Sequence, residues 1–406
     1  VFCLFKKDIP TIILATLFCI LVIYIVLFPN ESFKAAQEGL LLWFNVVLPA
    51  LLPFFICVEI LIGLGIVSFL GSCFRSIMRP IFNIPGEGAF AFFMSIASGY
   101  PVGAKITASL LESGTCTKIE AQRMLSLCST SGPLFIIGAV ATGILSNPKL
   151  GLLLAASHYL SAISAGLIMR FWGSKKGRQL TSIGAVTYRR AMNPLKEMLE
   201  YKKKDGRAFG KLMGDAVKNA MNLNFMIGGF IILFSVITAI LKTSGILELV
   251  SKGICMLLPF LDINPKAMSG LLIGILEVTN GIKECALGDI SLISKLMLTS
   301  FMIGFGGLSI NAQVLSVISG AKLHFGLYTF MKLLQGVAAA VYTYFLFDMM
   351  GAKQAFNVFD PVNVSHYVRY LNTDFMGKIS DSTVNLLFVL SLMLMFALFN
   401  KRRVKA

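Results

Sequence analysis

Ser98-Gly99-Tyr100-Pro101-Val102-Gly103-Ala104-Lys105 is polar, rich in glycine and interrupted by proline, yet it stands inside a long apolar region. Ser129-Thr130-Ser131-Gly132-Pro133 is a second string of the same kind. Each has a later counterpart, at Glu277-Val278-Thr279-Asn280-Gly281-Ile282-Lys283 and at Gly304-Phe305-Gly306-Gly307-Leu308-Ser309-Ile310-Asn311. Hydrocarbon offers no water to an unpaired peptide group. Non-helical backbone therefore persists at membrane depth only where it is buried in protein or lines a wet cavity. Matched Gly/Pro-broken segments in the two halves of a chain point to the substrate site of a transporter fold. The expected fold is an all-α polytopic membrane protein, with two inverted repeats that each hold a re-entrant helical hairpin and a broken transmembrane helix.

Composition agrees with a membrane protein. The chain is 56% hydrophobic and 14% charged, with 33 Phe, and that balance is outside the range of soluble domains of this length. A net charge of +16 raises the question of nucleic acid, but its placement answers no. Twelve Lys/Arg against four acids lie between Ser174 and Lys218; Lys6 and Lys7 precede the first apolar run, and Lys401, Arg402, Arg403 and Lys405 follow the last. Such juxtamembrane clusters are what the positive-inside rule describes. The eight cysteines (Cys3, Cys19, Cys57, Cys73, Cys116, Cys128, Cys255, Cys285) form no C-x-x-C, and His158, His324 and His366 show no ligand spacing. Metal and disulfide chemistry are not expected.

Membrane-length runs near 9–28, 40–67, 119–145, 150–172, 221–243, 291–318, 323–347 and 384–399 give eight expected crossings. The first has a basic flank but no A-x-A cleavage site, and it is expected to be a retained helix. Segments 87–112 and 266–288 are apolar with polar, Gly-rich centres and are expected to be the re-entrant hairpins. Pro85 and Pro265 precede them, and 68–84 and 246–263 are expected to be interfacial helices leading in. With both termini cytosolic, every strong basic cluster falls on the cytosolic side and the two hairpins enter from opposite faces. The organisation that follows is a first helix and external loop over 1–39, a first repeat over 40–173 with its broken helix at 119–145, and a basic cytosolic loop over 174–218. A second repeat covers 219–347, with its broken helix at 291–318, and an external loop and last helix occupy 348–406.

Where hairpin tips meet broken helices, free N–H groups favour anions and free carbonyls favour cations. The candidate substrate contacts are Ser98, Gly99, Tyr100, Pro101, Gly103, Lys105, Ser129, Thr130 and Ser131 in the first half. In the second they are Thr279, Asn280, Lys283, Gly306, Gly307, Ser309 and Asn311. Lys105 and Lys283 weigh most, since a lysine at the bilayer centre costs about 2.5–3.5 kcal/mol. Either a dianion bridges them, or they pair with Glu112, Glu277 or Glu284, or they snorkel to the interface. Glu277 and Glu59 are candidate coupling groups or structural partners, and Tyr100 either stacks on a ligand or packs at the tip. No nucleophile–base pair, nucleotide loop or metal cluster is legible, so neither enzyme chemistry nor a cofactor is expected. The expected partners are a small anion and the lipid bilayer, not nucleic acid.

The 98–105 string, followed by Glu120-Ala121-Gln122-Arg123 and by Ser129-Thr130-Ser131-Gly132-Pro133-Leu134-Phe135-Ile136-Ile137-Gly138, resembles the YlbJ-type sporulation integral membrane proteins. Gly304-Phe305-Gly306-Gly307-Leu308-Ser309 resembles the same family in the second half. The family is similar to the nucleoside-recognition gate superfamily, whose concentrative nucleoside transporters hold substrate between two re-entrant hairpins and two unwound helices. The resemblance implies a role in endospore formation: moving dipicolinic acid, a small aromatic dicarboxylate, from the mother cell across the outer forespore membrane. It also implies a homo-oligomer. Ser98-Gly99-Tyr100-Pro101 stands where the nucleoside transporters carry a Gly-Gln-Thr/Ser-Glu string. A nucleoside transporter on the same fold and a non-transporting scaffold docking through 174–218 remain the alternative expectations.

Overall fold

Proline and glycine decide where the helices stop. The computed structural model describes residues 2–173, 193–257, 265–288, 290–321 and 323–349, and among these it contains helices and no strand. Helix α1 (Phe2–Leu27) ends at Phe28, where Pro29 opens α2 (Pro29–Leu42) at a bend of 106°. A π-helical turn (Trp43–Val47) leads from α2 into α3 (Leu48–Gly63). Pro49 accounts for it: its missing N–H and its ring forbid the α-type bond to the carbonyl four residues back, and the helix widens. Trp43 fills the space that Gly228 leaves open and donates its indole N–H to the Asn224 carbonyl at 3.1 Å.

Gly65, in the left-handed region at φ 86°, turns the chain into the amphipathic α4 (Ile66–Phe82), which Asn83 closes at φ 56°. Helices α5 (Gly88–Ser98) and α6 (Tyr100–Glu112) follow and pack on each other. Gly99 joins them with φ 94° and ψ −177°, a conformation open only to glycine. Helix α7 (Lys118–Leu127) begins with a capping box between Thr117 and Glu120. It stops at Cys128, and after Ser129–Pro133 the chain resumes as a π-helix (Leu134–Ile144) before α8 (Lys149–Met169).

The amphipathic α9 (Pro194–Asp205) precedes the long α10 (Phe209–Thr243) and α11 (Ile246–Leu257). Helices α12 (Pro265–Leu276) and α13 (Val278–Leu287) form a second packed pair. Their axes approach closely at Gly274 and Gly281, where a Cβ on Gly281 would lie 2.1 Å from the Gly274 Cα. Helices α14 (Leu292–Phe305) and α15 (Gly307–Ile318) meet at Gly306, again left-handed at φ 83°, and α16 (Phe325–Met349) completes the described part.

Four stretches are long and apolar enough to cross a bilayer: Lys149–Met169, Phe209–Thr243, Leu292–Ala321 and Phe325–Met349. Two bent pairs, one about Phe28 and one about Gly65, bring the total to six if each is one span. These features describe a polytopic membrane protein. The expected crossing at 384–399, residues 174–192 of the basic loop and the segment 348–383 past Met349 lie outside the described residues.

Candidate functional site

Gly103 brings the first helix pair against the first break. A Cβ on Gly103 would sit 1.7 Å from the Cys128 carbonyl oxygen, so α6 touches the last turn of α7 through bare backbone. This contact sets Tyr100, one turn earlier, beside the Ser129-Thr130-Ser131 string. The three break residues are fully buried, and each finds partners on a different element. Ser129 Oγ shares a hydrogen bond with the Tyr328 hydroxyl at 2.8 Å, and Thr130 Oγ1 shares one with Ser95 Oγ at 2.9 Å. The Ser131 N–H donates to His158 Nε2 at 2.8 Å, while the Tyr159 hydroxyl donates to the Ser131 carbonyl at 3.1 Å.

The basic side chain of this cluster is Lys332, in the middle of α16 and 1% exposed. Its Nζ donates to the Ser129 carbonyl at 2.8 Å and to Gln335 Oε1 at 2.6 Å, and lies 4.9 Å from the centre of the Tyr100 ring. Those partners are all neutral, and among the described residues Lys332 makes no ion pair. The ring of Tyr100 meets His158 edge-on at 6.2 Å, and its hydroxyl donates to the Ile303 carbonyl on α14.

Glycine contacts carry the arrangement into the second half. A Cβ on Gly306 would lie 3.6 Å from Tyr100 Cε1, and one on Gly307 would lie 3.3 Å from the Leu276 carbonyl and 3.2 Å from Val278. The first break, the Gly99 turn, the second break and the Glu277 turn thus adjoin in that order: Thr130 and Gly132 near Gly99, Tyr100 near Gly306, Gly307 near the turn at Glu277. Asn311 Nδ2 donates to the Gly307 carbonyl at 2.6 Å and to the Phe305 carbonyl at 3.3 Å, while its Oδ1 has no partner among the described residues. Ser309 is buried beside it.

The two helix starts differ in charge. No side chain caps α6, and Pro101 stands in its first turn. At α13 the Glu277 carboxylate accepts from the N–H groups of Thr279 at 3.1 Å and Asn280 at 2.7 Å. It therefore fills the place an anion takes at a helix N-terminus. The half-buried Thr279 and Asn280 have their amides engaged in that cap.

The two lysines singled out in the sequence lie apart from this cluster. Lys105 donates to Glu59 on α3, whose other oxygen accepts from Asn219 Nδ2 at 3.1 Å. That partner is none of the three glutamates the sequence offered. Lys283 is exposed on α13, and its neighbour Glu284 pairs with Lys242 of α10. Sequence reasoning passed over Lys332, Gln335, Tyr328 and His158. The signal was there: one lysine in a run of 25 residues that is otherwise uncharged until Asp348, with Tyr328 four before and Gln335 three after on the same helix face.

Glu120-Ala121-Gln122-Arg123 is a clamp. Glu120 caps α7 and pairs with Arg79 of α4. Arg123 donates to the Asn83 carbonyl at 2.7 Å and twice to the Trp172 carbonyl. Gln122 exchanges two hydrogen bonds with the backbone of His324, at 3.1 and 2.8 Å.

Among the described residues, apolar helices broken around a buried polar cluster that includes one lysine define an integral membrane protein of transporter-like build. Residues 44–148 match the family described as Gate: Nucleoside recognition. Over 343 residues the chain is 39% identical to the sporulation integral membrane protein YlbJ of Bacillus subtilis (strain 168), across 84% of this chain and 83% of that protein. A shorter likeness, 31% over 110 residues, is to an uncharacterised protein of Alkalihalophilus pseudofirmus, covering 27% of this chain and 22% of that one. No solved structure matches. The chain belongs to the YlbJ family of sporulation integral membrane proteins.

Proposed function

We propose that the chain is a secondary transporter that moves a small aromatic dicarboxylate, dipicolinic acid, from the mother cell across the outer forespore membrane during endospore formation. The observation that carries the reading is Lys332, a fully buried cation whose contacts are all neutral. A charge in a medium of low polarity is costly without a counter-charge, and an anionic substrate supplies one. The uncapped start of α6 adds positive partial charge at the same tip.

In this reading 40–173 and 219–347 are inverted repeats, 87–112 and 266–288 are re-entrant hairpins, and substrate sits between Ser98–Gly103, Ser129–Ser131 and Gly306–Asn311. Both termini and the basic loop 174–218 are cytosolic, and the chain works in a homo-oligomer. The leading cation is Lys332 instead of Lys105 and Lys283. Leaving a negative cell interior favours an anion by about 2.3 kcal/mol per charge per 100 mV, so facilitated diffusion is enough and neither Glu59 nor Glu277 has to carry a coupling proton. The Gate match over 44–148 favours one second reading, a nucleoside transporter on the same fold.

Uptake of labelled dipicolinate into proteoliposomes tests the proposal, with wild type beside Lys332→Gln, Lys105→Gln and Lys283→Gln. Saturable uptake lost in Lys332→Gln and retained in the other two is the expected result. If folded wild type moves nucleosides and not dipicolinate, the second reading replaces the first.

A further inference from the structure

The cluster around Tyr100 holds more donors than acceptors. His158 Nε2 accepts the Ser131 N–H, so that nitrogen is bare and the ring's proton sits on Nδ1. His158 is fully buried, and among the described residues its Nδ1 has no hydrogen-bond partner. Gln335 turns its Oε1 to Lys332, which leaves its amide nitrogen facing away, and that nitrogen is also buried and without a partner. Ser98, two residues before Tyr100 in the chain, is 2% exposed, and its Oγ is likewise unpartnered among the described residues.

Buried polar groups in folded proteins are almost always paired, because a donor left unmade has lost its water without a replacement. The three are linked to Tyr100 in different ways: Ser98 lies two residues before it in the chain, His158 meets its ring edge-on, and Gln335 bonds the lysine that stands over its face. No carboxylate is among their partners. What satisfies such a neighbourhood is a ligand rich in acceptors and poor in donors. One ammonium balances only one negative charge, so a second carboxylate must be held by neutral donors.

We infer that His158 and Gln335 are the specificity-determining donors of the site, binding the second carboxylate of a dianionic substrate while Lys332 takes the first. The inference rests on the anion-transport reading and adds to it the residues that tell a dicarboxylate from a monocarboxylate. His158 works as a neutral ring: the Ser131 amide orients it through Nε2, and the Nδ1 proton is presented to substrate. The imidazole neither gains nor loses a proton as the anion passes. Ser98 contributes its hydroxyl as donor to the same group.

The test compares binding of pyridine-2,6-dicarboxylate and pyridine-2-carboxylate to purified protein in lipid nanodiscs. His158→Gln keeps an acceptor where Nε2 stood, so the Ser131 amide stays paired, but it removes the donor. His158→Asn places an amide N–H where Nδ1 stood. Gln335→Glu keeps the acceptor to Lys332 and turns the outward donor into an acceptor. A hydrogen bond to a charged group is worth about 1.5–3 kcal/mol, roughly a tenfold to hundredfold change in affinity. The expected result is that His158→Gln loses tenfold or more of its affinity for the dicarboxylate while its affinity for the monocarboxylate is unchanged. His158→Asn should recover part of the difference, and Gln335→Glu should lose both ligands. If His158→Gln weakens both ligands equally, or neither, the donor role is overturned while anion binding stands. Wild type that binds neither ligand overturns the anion reading and this inference together.

Discussion

Replacing Gly103 by alanine tests the contact on which the site's geometry depends. The added methyl would fall 1.7 Å from the Cys128 carbonyl oxygen, 2.5 Å from Ser95 Cβ and 2.9 Å from the Cys128 carbonyl carbon. Against a floor of 3.0 Å for real Cβ contacts, the first is short by 3.0 less 1.7, about 1.3 Å. The obstacle is backbone at the end of α7, which cannot swing aside as a long side chain does. Helix α6 has to back away by that distance, and Tyr100 loses its bond to the Ile303 carbonyl. Overpacking of this kind costs about 3 kcal/mol, an apparent melting temperature lower by about 6 °C at roughly 2 °C per kcal/mol for a large domain. Thermal unfolding of detergent-purified protein reads it directly. Gly229→Ala is the control, because nothing lies within 4 Å of the Cβ it adds. If Gly103→Ala melts with wild type and with Gly229→Ala, α6 does not lie on the Cys128 carbonyl and the site built on that contact is wrong.

Three further outcomes follow from other contacts. In a double-mutant cycle, Glu59→Gln and Lys105→Gln should couple by about 1 kcal/mol, since the lysine is 38% exposed and solvent screens the pair; independent effects would deny the bridge. Thr117→Ala should destabilise by about 1 kcal/mol, because the α7 cap loses the hydroxyl that accepts the Glu120 amide, and a melting temperature equal to wild type would dismiss the capping box. Hydrogen bonds from Arg207 hold the Asp205 carboxyl below its ordinary range, so this contact stabilises the 193–209 segment at neutral pH. The contribution fades as pH falls from the ordinary aspartate value through the lowered one. Protection factors in that segment, taken relative to the intrinsic exchange rate at each pH, should fall on acidification in wild type, and an identical acid response in Asp205→Asn would exclude this origin.

The helix breaks were legible because their chemistry is local. Gly99 and Gly306 adopt backbone that other residues avoid, and Ser129–Pro133 puts polar groups where hydropathy forbids them unless they are buried. The bend at Phe28 is announced by Pro29 alone. Partner choice was not legible. Lys105 finds Glu59 across three helices, and no periodicity links them. Lys332 was hidden by averaging, since one charge barely moves the hydropathy of an otherwise apolar helix. The turn at Glu277 misled in another way. Its polar residues read as open contacts, yet the glutamate folds back on Thr279 and Asn280 and closes the helix end from within the chain.

The exchange between Gln122 and His324 has a mechanical consequence. The glutamine amide imitates a peptide group, so α7 is stitched to the start of α16 as one strand is to another in a sheet. One and two turns along α16, Ser129 is tied to Tyr328 and to Lys332. Sliding one helix past the other would sever all four hydrogen bonds together, at about 1 kcal/mol net for each. The first break and the buried lysine therefore travel as a single rigid piece. The helix pairs at Gly99 and Glu277 each carry, on one flank, an ion pair open to solvent, between Lys105 and Glu59 and between Lys242 and Glu284.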